Sequence, residues 1–181
     1  MEKNDIVNYS FKEPLRDGRA VTIRAIRPDD KGALIEALNK MSAQSLYLRL
    51  FSAKRKFSDE EMNQATAVDF VNVVALLAVL DKDGSGQIVG GGRYIRIGNS
   101  GTGPGAEVAF LIDDACQGLG IGSRIFKHLV AIARESGITQ FEAEVLPSNA
   151  AMLGLFARSG LPVARSTTRD SVHVTIQLPP A

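Results

Sequence analysis

Apolar and polar residues alternate from Ala20 to Arg27, placing Val21, Ile23 and Ala25 on one face of a strand and Thr22, Arg24 and Ile26 on the other. Pro28-Asp29-Asp30 stops that strand and caps a helix running to about Lys40. Ser42 to Phe51 can form a second helix, and Ser58-Asp59-Glu60-Glu61 has the capping-box spacing that starts a third. Asp69 to Leu80 reads as the first strongly apolar strand. Asp83-Gly84-Ser85-Gly86 predicts a hairpin turn into a strand from Gln87 to Ile97, followed by a glycine-rich loop from Gly98 to Gly105. Ala106 to Ile112 alternates again. The period then changes: Ile125, Phe126, Leu129, Val130, Ile132 and Ala133 share one side of a helix, with Arg124, Lys127, His128 and Arg134 on or near the other. A strand from Gln140 to Leu146, a helix from Asn149, and strands at Pro162 to Arg165 and Ser171 to Leu178 complete the pattern. Hairpin strands followed by alternating helix and strand predict an α/β (α+β) fold, a mixed sheet with helices on both faces.

A chain of 181 residues suits one well-packed domain, here expected over 13–181, with residues 1–12 as a flexible, loosely attached arm. The net charge of +1 gives no reason to invoke nucleic acid or an anionic membrane as partner, and the cluster of Arg49 with Lys54-Arg55-Lys56 reads as a solvated face. The longest apolar run, Val73 to Leu80, has the length of a buried strand and not of a membrane span. The charged start, Met1 to Asp5, has no apolar core behind it, so no secretory signal is expected. A single cysteine, Cys116, rules out an intrachain disulfide and makes a reducing, cytoplasmic setting the default. His128 and His173 lie far apart without metal-ligand spacing, so no metal is expected.

The candidate chemistry lies in Gln117-Gly118-Leu119-Gly120-Ile121-Gly122-Ser123, between a strand and a helix. Closely spaced glycines let backbone N–H groups converge on an anion, and the helix dipole adds to the attraction. A pocket for a phosphate, and by extension a pyrophosphate, follows. The dinucleotide fingerprint is not met, because its third glycine would fall at Ser123, and the P-loop signature is absent.

Gln117, Gly120 and Gly122 do match Q-x-x-G-x-G, and with this loop the chain resembles the GNAT N-acetyltransferase family, in which it binds the pyrophosphate of acetyl-CoA. The preceding strand, and Glu144-Val145-Leu146 followed by Asn149 and a helix ending at Gly160, fall where that family has them. The resemblance is densest over residues 106 to 161. It implies a mixed, mostly antiparallel central sheet flanked by helices, which splays beside the strand entering the glycine loop and leaves a slot for pantetheine. Backbone groups of Leu111, Ile112 and Asp113 would bind the pantetheine amides. Amides from Gly118 and Leu119 through Gly120, Ile121, Gly122, Ser123 and Arg124 would hold the pyrophosphate, with Gln117 shaping the turn. Asn149 would touch the cofactor, cap its helix, or both.

Acetyl transfer requires a neutral amine, yet a free lysine with pKa ~10.4 is neutral in only about 0.04% of molecules at pH 7. Glu107 is the candidate general base. About 15–20 Å of strand, at ~3.3 Å per residue, runs from it to the strand end at Ile112 that leads into the Gln117 loop, the length scale of a pantetheine arm. Phe156 stands where many family members carry a tyrosine that protonates the departing thiolate, so the general acid is unassigned. Water can serve, and Tyr94, which reads first as a core or surface packing residue, is a possible replacement. Cys116 as an acyl carrier is disfavoured, since no histidine accompanies it in sequence and the family that the chain resembles transfers acetyl directly.

The segment Ser42 to Ser52 and the run Ala106-Glu107-Val108-Ala109-Phe110 resemble the acetyltransferase domains of bacterial protein lysine acetyltransferases that modify acyl-CoA synthetases. That implies acetyl-CoA as co-substrate and a protein partner such as an acyl-CoA synthetase. A small-molecule amine acetyltransferase and a non-catalytic acyl-CoA-binding module stay open. An exposed strand edge near the carboxy terminus would allow a homodimer.

Overall fold

A computed structural model describes residues 2–50, 56–82, 85–100 and 103–180. Phe51-Ser52, Lys54-Arg55 and the Asp83-Gly84 turn lie outside them. Among the described residues the sheet has eight strands in the order β1-β2-β3-β4-β5-β6-β8-β7. They are β1 (Ser10–Pro14), β2 (Ala20–Ala25), β3 (Val73–Lys82), β4 (Ser85–Ser100), β5 (Gly103–Ile112), β6 (Gln140–Val145), β7 (Val163–Thr167) and β8 (Val172–Gln177). All neighbours are antiparallel except β5 and β6, which run parallel. The helices are α1 (Lys3–Val7), α2 (Lys31–Lys40), α3 (Ala43–Leu50), α4 (Asp59–Thr66), α5 (Ile121–Glu135) and α6 (Ala150–Ala157).

Adjacent residues of a strand point to opposite faces, and the glycines of β4 show which helices cover which face. A side chain at Gly92 would run into Ile125 of α5, whereas Gly91 faces the space under α2 and α4 beside Leu38 and Met62. Thus α5 covers one face, and α2, α3 and α4 cover the other. On the α5 side Ile121, Ile125, Leu129 and Ile132 are buried against Tyr94, Phe110 and Phe141. The capping box at α4 forms as its spacing predicts: the Glu61 amide donates to Ser58 Oγ at 3.2 Å, and the Ser58 amide donates to Glu61 Oε2 at 2.8 Å.

Three expectations need correction. The amino-terminal segment is not a loose arm: β1 pairs with β2 from Ser10 through Pro14, and Ile6 is buried. Tyr9 donates to or accepts from His128 Nδ1 at 2.6 Å, and His128 Nε2 lies 3.2 Å from Glu13. Burial lowers the His128 pKa against the opposing pull of Glu13. The strand expected from Asp69 begins at Val73, because Asp69 Oδ1 accepts the amides of Val71, Asn72 and Val73 and holds the chain in a turn. Within the expected loop Gly98 to Gly105, the described residues 98–100 and 103–105 are strand. There β4 and β5 pair out to Ser100 and Gly103, since glycine is no bar to a ladder that other residues hold on both sides.

Candidate active site

The sheet opens between its two parallel strands. β5 and β6 pair only at Gly105–Gln140, Ala106–Phe141 and Glu107–Glu142, and then part. The β4 side of β5 stays paired to Ile112, so beyond Glu107 the opposite edge of β5 offers backbone groups with no strand beside them. A cleft of about 820 Å³ fills this gap. It runs from Glu107 along Val108 to Ile112, past Ala143 to Val145 on the other wall, to the glycine loop and α6.

At the loop end, Gly118 and Gly120 take φ values of 79° and 86°, the left-handed region that favours glycine. Gly120 is the N-cap of α5 and no side chain caps it, so the first-turn amides of Ile121, Gly122 and Ser123 point out of the helix unbonded by it. These groups, with the helix dipole behind them, fit an anion. A side chain at Gly122 would lie 2.9 Å from Leu155, so this glycine also lets α5 and α6 approach. The loop is tied to α3. Gln117 Nε2 donates to Ser45 Oγ at 3.3 Å, and Asp114 accepts from the Ser42 amide at 2.9 Å and the Ser45 hydroxyl at 2.6 Å. Those bonds hold the Asp114 carboxyl below its ordinary pKa.

Of the residues expected here, Glu107, Leu111, Ile112, Gln117, Gly118, Gly120, Ile121, Gly122, Ser123, Asn149 and Phe156 all line the cleft. Three do not. The Asp113 amide donates to the Val89 carbonyl at 2.9 Å and its carboxylate caps the next turn, so both are spent within the fold. Leu119 packs against the core. The Arg124 amide donates to Gly120 inside the helix at 3.2 Å, while its guanidinium folds back onto the same carbonyl at 3.1 Å. Asn149 caps α6 by accepting the Met152 amide at 3.1 Å.

Phe156 is fully buried in a ring cluster with Phe110 and Phe126. Tyr94 is also fully buried, against Phe141 and away from the cleft lining, and burial raises its pKa. It is not placed to protonate a leaving group. Cys116 lines the cleft but is buried, and burial followed by the charge of Asp113 pushes its thiol up, opposite to what a nucleophile needs.

The opposite end holds Glu107, exposed, with Glu144 and Asp170 also lining the cleft. His173 lies 2.6 Å from Glu144 and 3.7 Å from Glu142. Arg49 of α3 overlooks this end. Burial and then Arg93 pull its guanidinium down to about 10, with Glu107 pulling the other way. In the sequence Arg49 belongs to a charged cluster and to the Ser42–Ser52 segment, and neither marks it as a cleft residue. Nor does the sequence mark Arg16, which donates to the Gly118 carbonyl at 3.1 Å and adds a cation beside the loop. A contact between residues 102 positions apart leaves no local signal. Among the described residues no group of three or more His, Cys, Asp or Glu could hold a metal ion, and no helix is long and apolar enough to cross a membrane.

The model of the acetyltransferase (GNAT) family matches residues 41–161. Over 166 residues the chain is 30% identical to an acetyltransferase of Pseudomonas aeruginosa, covering 92% of this chain and 87% of that protein. It is also 30% identical over 146 residues to the acetyltransferase Pat of Mycolicibacterium smegmatis, covering 81% of this chain but 42% of the longer relative. Among solved structures, the GNAT domain of S. lividans PAT matches with a TM-score of 0.84 at 36% identity, over 93% of this chain and 97% of that one. A Salmonella typhimurium protein solved with its cofactor acetyl-CoA shares the fold, with a TM-score of 0.64 at 22% identity over 87% and 92% of the two chains.

Proposed function

Because the chain belongs to the GNAT family of acetyltransferases, we propose that it moves the acetyl group of acetyl-CoA to the side-chain amine of a protein lysine, with Glu107 as general base. The observation that carries this reading is an exposed carboxylate at one end of a cleft whose other end is an uncapped, glycine-lined helix start. Acetyl-CoA would supply the activated acyl group; its pyrophosphate fits the first-turn amides of Ile121, Gly122 and Ser123 beside Arg16. The unpaired edge of β5 would bond the pantetheine amides. Glu107 takes the proton from the ammonium, directly or through water, and frees the lone pair that attacks the thioester carbonyl. As the carbon–nitrogen bond forms, the carbon–sulfur bond breaks. The thiolate, with a thiol pKa of ~8.5, leaves without help from Phe156 and takes a proton from water. The similarity to the GNAT domain of S. lividans PAT and to part of the acetyltransferase Pat supports a protein acceptor.

Glu144 and Asp170 line the same cleft as Glu107, and this acidic lining favours a cationic acceptor and keeps one second reading, a polyamine. The test is CoA release with acetyl-CoA and a panel of acyl-CoA synthetases, polyamines and amino acids, with mass spectrometry of any protein acceptor. We expect acetyl-lysine on a synthetase. In Glu107→Gln the rate should fall by roughly 10²–10⁴ while acetyl-CoA affinity stays unchanged. Transfer to a polyamine alone would replace the protein-lysine reading, and an unaltered rate in Glu107→Gln would remove Glu107 from the chemistry.

A further inference from the structure

A second cavity, of about 370 Å³, lies between the sheet and α2, α3 and α4. Its walls are mainly apolar: Leu38, Met41, Leu46, Met62 and Leu77. The first four form a hydrophobic cluster separate from the main core, and Leu111 packs against it. On the sheet side the floor is Gly91 together with the Leu77 side chain, which lies 3.2 Å from where a Cβ on Gly91 would stand. Arg49, Glu61, Gln64 and Arg93 also line the cavity, so it is an apolar pocket with polar residues at its opening, and burying apolar atoms in such a pocket is favourable.

This cavity adjoins the active-site cleft. Arg49, Ala109, Phe110 and Leu111 line both spaces. Ala109 lies on the same strand face as Glu107, two residues along and so ~6.6 Å away. A thioester carbonyl presented to an amine at Glu107 therefore sits close to Ala109. Its surroundings are already allotted: the pantetheine arm runs toward the glycine loop, the amine enters from the exposed side of Glu107, and Ala143 to Val145 wall off the β6 side. The direction left for the acyl substituent is past the small Ala109 side chain, under Arg49, toward the cavity.

We infer that this cavity is an acyl-chain subsite, so that the enzyme takes straight-chain acyl-CoA donors longer than acetyl. The inference rests on the acyltransferase reading of the cleft. A chain of three or four carbons extends from the carbonyl into the apolar space, while the guanidinium groups of Arg49 and Arg93 stay at its rim. Burying each added methylene should tighten donor binding about fourfold.

The experiment compares acetyl-, propionyl- and butyryl-CoA on the intact chain, by calorimetric Kd without acceptor and by kcat/KM with whichever amine accepts acetyl. Ala65→Phe is the diagnostic variant. Ala65 lies on α4 in the cavity wall and does not line the cleft, so a phenyl ring there fills the subsite from behind. Expected are kcat/KM values for butyryl-CoA within about tenfold of acetyl-CoA in the wild type, and a loss of tenfold or more for butyryl-CoA alone in Ala65→Phe. Acetyl-CoA binding and turnover with no gain in affinity from acetyl to butyryl would overturn the subsite and leave the acyltransferase reading standing. So would a folded Ala65→Phe with an unchanged chain-length profile. If Ala65→Phe fails to fold, the wild-type Kd series decides by itself. Failure to bind acetyl-CoA at all would overturn the reading of the cleft, and the subsite with it.

Discussion

Replacing Gly120 with alanine probes the loop where its geometry is tightest. Its φ of 86° and ψ of 12° lie in the left-handed region, where an L side chain costs about 1–2 kcal/mol. The new Cβ would also stand 2.5 Å from Arg124 Nη1. That guanidinium must swing away and lose its 3.1 Å bond to the Gly120 carbonyl, a further loss of about 0.5–1.5 kcal/mol. Together they come to about 1.5–3.5 kcal/mol. Gly118→Ala is the control. Its φ of 79° imposes the conformational strain, but nothing lies within 4 Å of the added atom, so only about 1–2 kcal/mol is expected. The difference between the variants isolates Arg124.

Where the loss shows depends on the free protein. If the loop keeps its shape without ligand, folding is weakened, and each kcal/mol lowers Tm by about 2–4 °C at this size. If the loop relaxes, binding is weakened instead, by roughly 10- to 400-fold in acetyl-CoA affinity for Gly120→Ala. Thermal melts and calorimetry on the same preparations capture the sum. A Gly120→Ala protein within about 1 °C in Tm and about threefold in Kd of wild type would refute the account of the loop.

Other perturbations test other parts of the molecule. Asp30 accepts two bonds from Arg24, at 2.8 and 2.6 Å, and the Arg27 amide at 2.7 Å. Asp30→Asn should cost about 3–5 kcal/mol in denaturant unfolding, because Arg24 is left charged in a mostly buried place. Burial pushes the Asp30 carboxyl up, but the bonds from Arg24 and Arg27 outweigh it and set its pKa below the ordinary 3.8. Its stabilisation is therefore complete above that value and fades as pH falls through the lower folded one; the variant should lose less stability than wild type between pH 5 and pH 2. His128 works on a higher range. With its folded pKa depressed, the unfolded chain binds a proton first as pH drops below 6.5, so stability falls with acid there, and His128→Gln should flatten that slope. Cys116, buried with a raised pKa, should react with iodoacetamide at least about tenfold more slowly than free cysteine until urea unfolds the chain.

Much of this was legible from local pattern. The glycine loop, the amphipathic α5 and the Ser58 box each occupy contiguous residues whose spacing states their structure. β1 was not legible. Its sequence, Ser-Phe-Lys-Glu-Pro, has no alternation, because it is an edge strand exposed along most of its length; what holds it is β2 and the side chains of α5. Tyr94 looked available for chemistry because a hydroxyl on a strand carries no sign of which face it occupies. Asp113 looked available because its amide's partner, Val89, belongs to a distant strand. Arg16 and Arg49 reach the cleft from segments read as a turn and as a solvated helix. In each case long-range pairing, invisible in a window of neighbours, decided the outcome.

The parting of β5 from β6 has a mechanical meaning. Within the sheet, strands β1 to β5 are joined to β6, β7 and β8 by a seam of just three parallel residue pairs. A thioester bonded along the free edge of β5 would act as a cross-tie, supplying the rungs the ladder lacks. Whatever binds there stabilises the joined state by RT ln(1 + [L]/Kd), about 2.7 kcal/mol at a hundredfold excess over Kd. The carboxy-terminal half should then breathe more freely when the cleft is empty, with faster amide exchange along Ala143 to Val145 than along β3 and β4. Cellular acyl-CoA would in that case set not only how fast this enzyme works but how firmly its two halves hold together.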